Sequence, residues 1–209
     1  MTRPDRCLQV FAREPVQGRV KTRLIPALGA PVATAVYRRL LEHTLLAAAS
    51  ANVDRIEIWL DREPESEAFR NRLAARGFAV HVQPDTDLGQ RMLTALRDGL
   101  TRADQVVLVG SDCPSLDTAY IDQAFASLAR HDAVIGPTVD GGYILIGMRH
   151  AEPSLFDEIC WSTPQVLAQT CDRLRQLHLR WEALPDQRDI DEATDLEAFP
   201  ELLDELVTT

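Results

Sequence analysis

The sequence predicts one α/β domain of three layers, residues 1–209, in which helices cover both faces of a mostly parallel β-sheet. Strand and helix patterns alternate from one end of the chain to the other, which is typical of parallel strands joined by crossover helices. The run 106–109 is wholly apolar and stands directly before Gly110, as expected of a strand buried on both faces of a parallel sheet. No internal repeat, linker or low-complexity segment interrupts this alternation.

The first half of the chain divides into elements at its apolar runs and at its proline and glycine residues. Residues 7–11 form a β-rich run, and residues 13–25 come next as a loop. Pro31 suits the first turn of a helix, which apolar residues at i, i+4 spacing extend to about Ser50. Gly77 ends the next helix. The other predicted elements here are a strand at 53–60, a helix at 64–76, a strand at 78–82, a helix at 88–100 and a strand at 106–109.

The same patterns predict a further alternation after Gly110. The predicted elements are a helix at 117–130, strands at 133–135 and 143–148, a helix at 163–177, a strand at 179–184 and a final helix at 193–206. Open parallel sheets bind their ligands outside the carboxyl ends of the strands. Polar segments that come directly after predicted strands are therefore the candidate site.

Composition excludes several classes of function. The chain carries 22 basic and 32 acidic side chains, a net charge of −10, which argues against a protein that grips polynucleotide phosphates. No apolar run approaches the roughly 20 residues of a membrane span, and no hydrophobic region comes after the N-terminal arginines as in a signal peptide. The four cysteines show no CxxC pair and no zinc-ligand spacing. We expect a cytoplasmic protein with free thiols and neither a polynucleotide nor a membrane partner.

The loop after the first strand is basic, although the chain is acidic. It holds four cations, Arg13, Arg19, Lys21 and Arg23, around Gly18, and Lys21 is the single lysine among the 22 basic residues. Because every other basic residue is arginine, the single lysine indicates that position 21 needs a compact ammonium group. The alternative is that a lysine was retained there by chance in a solvated loop. Glycine permits the backbone to approach a ligand closely, and the cations are suited to bind a di- or triphosphate. The spacing is not that of a Walker A loop.

Two acidic segments lie after other predicted strands. Asp112 comes directly after the buried strand 106–109, where a carboxylate can hold a divalent cation that bridges phosphates; the alternative is a turn residue. Asp189 and Asp191 precede the last predicted helix, and alternation in an extended segment places both carboxylates on one side. Asp191 is equally suited to be the N-cap of that helix, in which case Asp189 is the better metal ligand.

Three further segments are marked by glycine or aromatic residues. Gly141 and Gly142 stand between Asp140 and Tyr143 and predict close backbone approach to a substrate, or else a hairpin turn. Residues 87–91, with Gly89 and Arg91, offer a helix N-terminus suited to an anion or a nucleobase. Trp161 is suited to wall an acceptor pocket or to pack in the core.

Together these segments resemble a bacterial family of GT-A-fold transferases, glycosyltransferases associated with radical-SAM or selenium-containing neighbours, some of them tied to arsenosugar biosynthesis. Arg13 stands where this family is expected to have lysine. The layout is also similar to that of 2-phospholactate guanylyltransferases and molybdenum-cofactor nucleotidyltransferases. The matching pieces are Phe11 with Pro15-x-x-Gly18-x-Val20-Lys21-Thr22-Arg23-Leu24, Asp87-Leu88-Gly89-x-Arg91-Met92, Gly110-Ser111-Asp112-Cys113-Pro114, Gly136-Pro137-x-x-Asp140-Gly141-Gly142-Tyr143, Trp161-Ser162-Thr163, and Asp189-Ile190-Asp191 with Asp195-Leu196.

The resemblance implies a GT-A fold, a bound nucleotide and a divalent metal, Mg²⁺ or Mn²⁺. The leading hypothesis is a metal-dependent glycosyltransferase with a nucleotide-diphospho-sugar donor and a small-molecule acceptor. The alternatives are a nucleotidyltransferase that takes a nucleoside triphosphate and releases pyrophosphate, and a regulatory module that binds a nucleotide without turnover.

Each candidate residue receives a role in this hypothesis. Asp112, with Asp189 or Asp191, would hold the metal, and Lys21 and Arg23 would neutralise the departing diphosphate. Asp140 would orient or deprotonate an acceptor hydroxyl. The residues expected to contact the nucleotide or shape the substrate site are Arg13, Gly18, Gly89, Arg91, Gly141, Gly142 and Tyr143.

Overall fold

The computed structural model describes residues 5–204, and in these residues seven strands form one sheet. The strands are β1 (Arg6–Ala12), β2 (Arg55–Leu60), β3 (Ala79–Val82), β4 (Gln105–Val109), β5 (Ala133–Pro137), β6 (Tyr143–Met148) and β7 (Trp181–Ala183). The helices are α1 (Ile25–Ser50), α2 (Glu67–Ala75), α3 (Leu88–Leu100), α4 (Thr118–Leu128) and α5 (Val166–Gln176), with 3₁₀ turns at Thr22–Leu24, Pro153–Phe156, Ala193–Ala198 and Pro200–Leu202.

The sheet is mostly parallel, as predicted. Its strand order is β3-β2-β1-β4-β6-β5-β7, and β6 alone runs antiparallel to its neighbours β4 and β5. Because β6 is reversed, its first residue, Tyr143, lies at the edge of the sheet where the other strands end. That reversal brings the segment before β6 to the same edge as the loops after β1 and β4.

Apolar side chains cover both faces of the sheet, which confirms the three-layer α/β class. One buried cluster joins the sheet to α1, α2 and α4, through residues such as Leu41, Leu73 and Phe125. A second joins the opposite face to α3 and α5, through residues such as Leu96 and Leu174. Full burial of one such side chain contributes roughly 1.5–3 kcal/mol relative to its exposure to water. None of the helices in residues 5–204 is long and apolar enough to cross a membrane.

A third buried cluster fixes the end of the described chain against α1. Ile190, Leu196 and Leu202 pack with Leu24 and Leu40, and each of the five is at most 9% exposed. The segment that carries Asp189 and Asp191 is therefore held next to the first loop by a small core of its own.

Four helix predictions differ from the structure by three residues or more, each at a proline or glycine. The helix predicted at 64–76 begins at Glu67, three residues after Pro64. The first helix begins at Ile25 and is interrupted at Gly29, whose backbone is non-helical (φ 77°, ψ 156°), so the predicted start at Pro31 lies just beyond that break. The helix predicted from Thr163 begins at Val166. Thr163 comes directly before Pro164, and helical backbone geometry is disfavoured for the residue before a proline.

The final helix predicted at 193–206 was wrong within the described chain. Residues Ala193–Ala198 and Pro200–Leu202 form two short 3₁₀ turns instead. Pro200 has no N–H and cannot continue a helix that begins before it. The predicted end of that helix, Leu206, lies outside the described residues.

Candidate active site

A cleft of about 660 Å³ opens along the carboxyl edge of the sheet. Ten of the thirteen predicted site residues line it, which brings together the first loop, the loop after β4, the turn before β6 and the late acidic segment. The ten are Arg13, Lys21, Arg23, Arg91, Asp112, Asp140, Gly142, Tyr143, Asp189 and Asp191. The glycines Gly18, Gly89 and Gly141 are outside this lining.

The centre of the cleft is an ammonium group between two carboxylates. Lys21 Nζ lies 3.1 Å from Asp112 Oδ2 and 3.4 Å from Asp191 Oδ1, and the lysine side chain is only 7% exposed. Burial by itself would lower the pKa of Lys21, but the charges of Asp112 and Asp191 outweigh burial and raise it. Lys21 is therefore a permanent cation at this position.

Arg23 brings a second cation to the same carboxylate from the solvent side. Its Nη1 lies 3.0 Å from Asp191 Oδ2, and its side chain is 64% exposed. Unlike Lys21, Arg23 can exchange this partner for a ligand at little cost, because exposed ion pairs contribute at most about 1 kcal/mol.

Asp189 lies in the same centre and has a strongly perturbed carboxyl group. Burial, followed by the negative charges of Asp112, Asp140 and Asp191, raises the pKa of Asp189 to about 7. A cation relieves repulsion of this kind, and carboxylate oxygens are the donors that Mg²⁺ and Mn²⁺ prefer. Asp112, Asp189 and Asp191 are thus the oxygen donors that this cleft offers to a divalent cation; among the described residues their oxygen atoms do not all lie within 4.8 Å of one another, so the three carboxylates would have to draw together around the ion.

A backbone contact holds the late acidic segment against the loop after β4. The N–H of Ile190 donates to the carbonyl oxygen of Asp112 over 3.0 Å. The alternative that Asp191 is an N-cap was wrong, because Glu192 caps the next turn and Asp195 Oδ2 accepts from the N–H groups of Asp191 and Glu192. The Asp191 carboxylate is consequently left to pair with Lys21 and Arg23.

The turn before β6 positions Asp140 at the cleft. Asp140 Oδ1 accepts from the Thr138 hydroxyl and from the N–H of Gly142, the latter over 3.1 Å. Gly141 has a φ of 90°, and a Cβ there would meet the carbonyl oxygen of Pro164 at 2.2 Å. Gly141 therefore permits close packing of two protein segments, and its neighbour Gly142 is the one that lines the cleft.

The other two glycines outside the lining also have conformational or packing roles. Gly18 has a φ of 81° and nothing within 4 Å of where a Cβ would lie, so its backbone geometry is what favours glycine. Gly89 is pressed against Trp161, whose ring would lie 2.6 Å from a Cβ at position 89. Trp161 itself lines the cleft and packs on the buried cluster at the α3 face.

Arg13, Arg91 and Tyr143 complete the predicted lining. Arg13 Nε lies 3.7 Å from Asp61 Oδ2, and Arg91 Nε donates to the carbonyl oxygen of Thr86 over 2.7 Å. Burial raises the pKa of Tyr143, so its hydroxyl stays neutral.

Sequence reasoning missed the role of Tyr37. Its position in the apolar stripe of α1 indicated only a core residue, but its hydroxyl accepts from the N–H of Arg13 over 2.8 Å and lies 3.1 Å from Ser111 Oγ. Tyr37 thus connects the first loop to the loop that carries Asp112. Burial raises the pKa of Tyr37 to about 12, so the phenol is neutral. No spacing rule in the sequence marks such a link between separate loops.

Replacement of Tyr37 by phenylalanine is expected to destabilise the protein by about 1 kcal/mol and to weaken binding of a ligand in the cleft several-fold. The two loops lose their shared hydrogen bonds, while the ring keeps its packing. Tyr120→Phe is the matched control, because the Tyr120 hydroxyl donates to the carbonyl oxygen of Pro185 over 2.8 Å away from the cleft lining. Urea unfolding with ligand titration checks both variants; equal ligand affinity in the two would contradict a positioning role for Tyr37.

A second polar cluster lies away from the cleft, beneath α3. Single ligand atoms of Glu57, His81 and Asp98 lie within 4.8 Å of one another, close enough to hold a metal ion. The Glu57 carboxylate is fully buried and already accepts from Arg55 Nε over 2.6 Å and from Arg102 Nη2 over 2.9 Å. Two guanidinium groups therefore already neutralise the main acidic ligand of this cluster.

Comparison with known proteins finds a matching family model and several solved structures of similar fold. The model of a bacterial family described as "Uncharacterized protein conserved in bacteria (DUF2064)" matches residues 44–163. A protein of Desulfovibrio desulfuricans G20, named as a proposed nucleotide-diphospho-sugar transferase, is 31% identical with a TM-score of 0.85, over 96% of this chain and 88% of that one. No curated protein matches in sequence.

More distant structures share the fold. The synthetase that makes CMP-2-keto-3-deoxy-manno-octonic acid, in complex with CTP, is 12% identical with a TM-score of 0.54, over 95% of this chain and 98% of that one. A 4-diphosphocytidyl-2C-methyl-D-erythritol synthase from Anaerococcus prevotii DSM 20548 is 12% identical with a TM-score of 0.60, over 93% of each chain. These likenesses confirm the predicted GT-A class of α/β fold.

Proposed function

The chain belongs to the bacterial family DUF2064, and we propose that it is a metal-dependent glycosyltransferase with a nucleotide-diphospho-sugar donor and a small-molecule acceptor. The observation that carries this proposal is the arrangement of Lys21 and Arg23 against the carboxylates of Asp112, Asp189 and Asp191 in one cleft. A diphosphate leaving group requires cations that bind its phosphates, and it is further stabilised by a metal ion that oxygen ligands hold in place. Residues 1–209 would form one transferase domain.

Asp112, Asp189 and Asp191 would hold Mg²⁺ or Mn²⁺. When bound, the ion would neutralise charge that develops on the diphosphate. Lys21 and Arg23 would contribute to the same neutralisation from the first loop, with Arg13 and Arg91 as further cations along the cleft. The Desulfovibrio relative, 31% identical over nearly the whole chain, supports a nucleotide-diphospho-sugar as donor.

Asp140 would serve the acceptor. The acceptor oxygen forms a bond to the sugar carbon while the bond from that carbon to the diphosphate breaks, and the acceptor proton passes to the Asp140 carboxylate. One oxygen of Asp140 is held by Thr138 and Gly142, which fixes the orientation of the group. Gly142 and Tyr143 would shape this side of the cleft, while Gly141 lets the turn pack against Pro164. The association with radical-SAM or selenium-containing neighbours and with arsenosugar biosynthesis, which the resemblance implies, stays a prediction.

A nucleotidyltransferase is the second candidate, favoured by the number of cations in the first loop. Arg13, Lys21 and Arg23 all line the cleft, and three cations suit a triphosphate at least as well as a diphosphate sugar. The two candidates differ in their products. The glycosyltransferase releases a nucleoside diphosphate, whereas the nucleotidyltransferase releases pyrophosphate.

Thermal unfolding of the full chain tests the proposal with a panel of nucleoside diphosphates, triphosphates and nucleotide-diphospho-sugars, each with and without Mg²⁺. A ligand at about 100 times its dissociation constant adds roughly 2.7 kcal/mol to stability, an increase in Tm of about 5–10 °C for a chain of this size. We expect a metal-dependent increase with one nucleotide-diphospho-sugar. Selectivity for a triphosphate would favour the nucleotidyltransferase. An unchanged Tm with every nucleotide would contradict both candidates.

A further inference from the structure

We propose that Lys21 is an internal counter-ion that keeps the carboxylate centre closed to a divalent cation until the phosphates of a nucleotide draw its ammonium group away. Metal and nucleotide would then bind cooperatively. The inference rests on the proposed function, because it takes Asp112 and Asp191 as metal ligands. Lys21 would thus act twice: first as counter-ion to the carboxylates, and then, once a nucleotide is bound, as a cation that contacts the diphosphate.

The ammonium group of Lys21 occupies the position that a metal ion bound by Asp112 and Asp191 would take. Lys21 Nζ is within 3.4 Å of one oxygen of Asp112 and one of Asp191. A divalent cation bound by the same two oxygens needs about 2.0–2.1 Å to each for Mg²⁺, so it would occupy the space that the ammonium fills. Two like charges cannot share that space, and the ammonium must leave before the ion enters.

The ammonium group of Lys21 balances part of the negative charge of the carboxylates around it. Asp112, Asp140, Asp189 and Asp191 line one cleft, and within the described residues Lys21 is the cation buried among them. Arg23 reaches the cluster only at Asp191 and from the solvent side. Removal of the ammonium would leave Asp112 without its cationic partner and Asp191 with Arg23 alone, close to the negative charge of Asp189, and a divalent cation would relieve this repulsion.

The side chain of Lys21 can move while its backbone stays in place. Val20 and Leu24 are at most 1% exposed and anchor the first loop on both sides of Lys21. The four-carbon stem of a lysine can swing its ammonium between neighbouring anions, whereas a planar guanidinium is built for fixed bidentate pairing. Phosphates in the cleft offer the ammonium a new partner, and the metal then takes its place. Such coupling is reciprocal, so the nucleotide also gains affinity from the metal.

The test is Mn²⁺ binding to the full chain without any nucleotide, measured by electron paramagnetic resonance of the free ion. Lys21→Met and Lys21→Gln are expected to bind Mn²⁺ at least tenfold more tightly than the unmodified protein. Lys21→Arg retains a cation and is expected to bind weakly. Arg19→Gln is the matched control, because it removes one charge from the same loop at a side chain that pairs with Glu65, and its affinity should stay within about twofold.

Circular dichroism first checks that Lys21→Met and Lys21→Gln are folded. Two neutral variants are used so that a change in Mn²⁺ affinity can be assigned to the lost charge and not to one particular new side chain. Equal or weaker Mn²⁺ affinity in both would overturn the counter-ion role. Absence of Mn²⁺ binding in every variant would overturn it as well. Neither result depends on nucleotide binding, so failure here is distinguishable from failure of the proposed transferase, which would appear as an unchanged Tm with all nucleotides.

Discussion

The Asp112→Asn variant is expected to lose the metal-dependent part of nucleotide binding and at least about a hundredfold in transfer rate. Asparagine keeps the size of the side chain but removes the negative charge that pairs with Lys21 over 3.1 Å. A neutral amide is a far weaker ligand for Mg²⁺ than a carboxylate, so in the proposed function the diphosphate would lose the ion that neutralises its charge. The main effect should be on kcat and on the metal-dependent increase in Tm.

Two measurements separate this loss from a general loss of structure. The increase in Tm with nucleotide is compared with and without Mg²⁺, and the two should become equal in Asp112→Asn. Asp172→Asn is the matched control, because Asp172 is 66% exposed and pairs only with Arg175 on the surface of α5. Rates and metal response within a few-fold of the unmodified protein in Asp112→Asn would identify Asp112 as a turn residue.

The position of the cleft can be predicted from the sequence because one rule links it to the sheet. The apolar run before Gly110 marks a strand buried on both faces, and the loop after such a strand lies at the carboxyl edge of the sheet. The first loop and the late acidic segment come after other strands and reach the same edge. The reversal of β6 is the feature that a pattern of alternating elements does not specify. The segment 140–143 precedes its strand and still joins the site.

Contacts between distant segments were beyond prediction from spacing. Tyr37 repeats in the apolar stripe of α1 like its neighbours, and only the folded chain places its hydroxyl on Arg13 and Ser111. The prediction of the last helix was wrong for a local reason that the sequence does contain: Pro200 cannot continue a helix that begins before it. The assignment of Asp191 depended on that helix, because a helix at 193 calls for a cap, and Glu192 and Asp195 fill this role. Because Glu192 and Asp195 cap the turn, the Asp191 carboxylate is free of that role and pairs with Lys21.

Glu57 shows most clearly what periodicity cannot reveal. A glutamate in the predicted strand 53–60 suggests an exposed position between apolar neighbours, yet Glu57 is fully buried. Its carboxylate accepts from Gln9 Nε2 over 3.0 Å, and from Arg55 and Arg102. Burial would raise the pKa of Glu57, but the hydrogen bonds from Gln9, Arg55 and Arg102 outweigh it and lower the pKa to about 2.

Glu57→Gln is therefore expected to lower the free energy of unfolding at pH 7 by about 2–4 kcal/mol, below the top of the range for buried ion pairs because both arginines are partly exposed. The amide keeps the shape of the side chain but leaves Arg55 and Arg102 without their shared counter-ion, and it turns a donor towards groups that are themselves donors. The corresponding decrease in Tm is roughly 4–16 °C for a chain of this size. Glu63→Gln, at an exposed pair with Arg70, should change stability by at most about 0.5 kcal/mol.

The difference between the unmodified protein and Glu57→Gln should depend on pH with a definite sign. The folded pKa of about 2 is lower than the ordinary value of 4.5, so the unfolded chain takes up a proton first as pH falls. The contribution of the Glu57 charge is complete above that ordinary value and disappears as pH falls towards 2. Urea unfolding at pH 7, 5 and 3 should therefore show a gap between the two proteins that narrows with acid. A gap that stays constant, or a gap that instead disappears on chelation of metals at pH 7, would show that the ion pairs with Arg55 and Arg102 are not what stabilises this cluster.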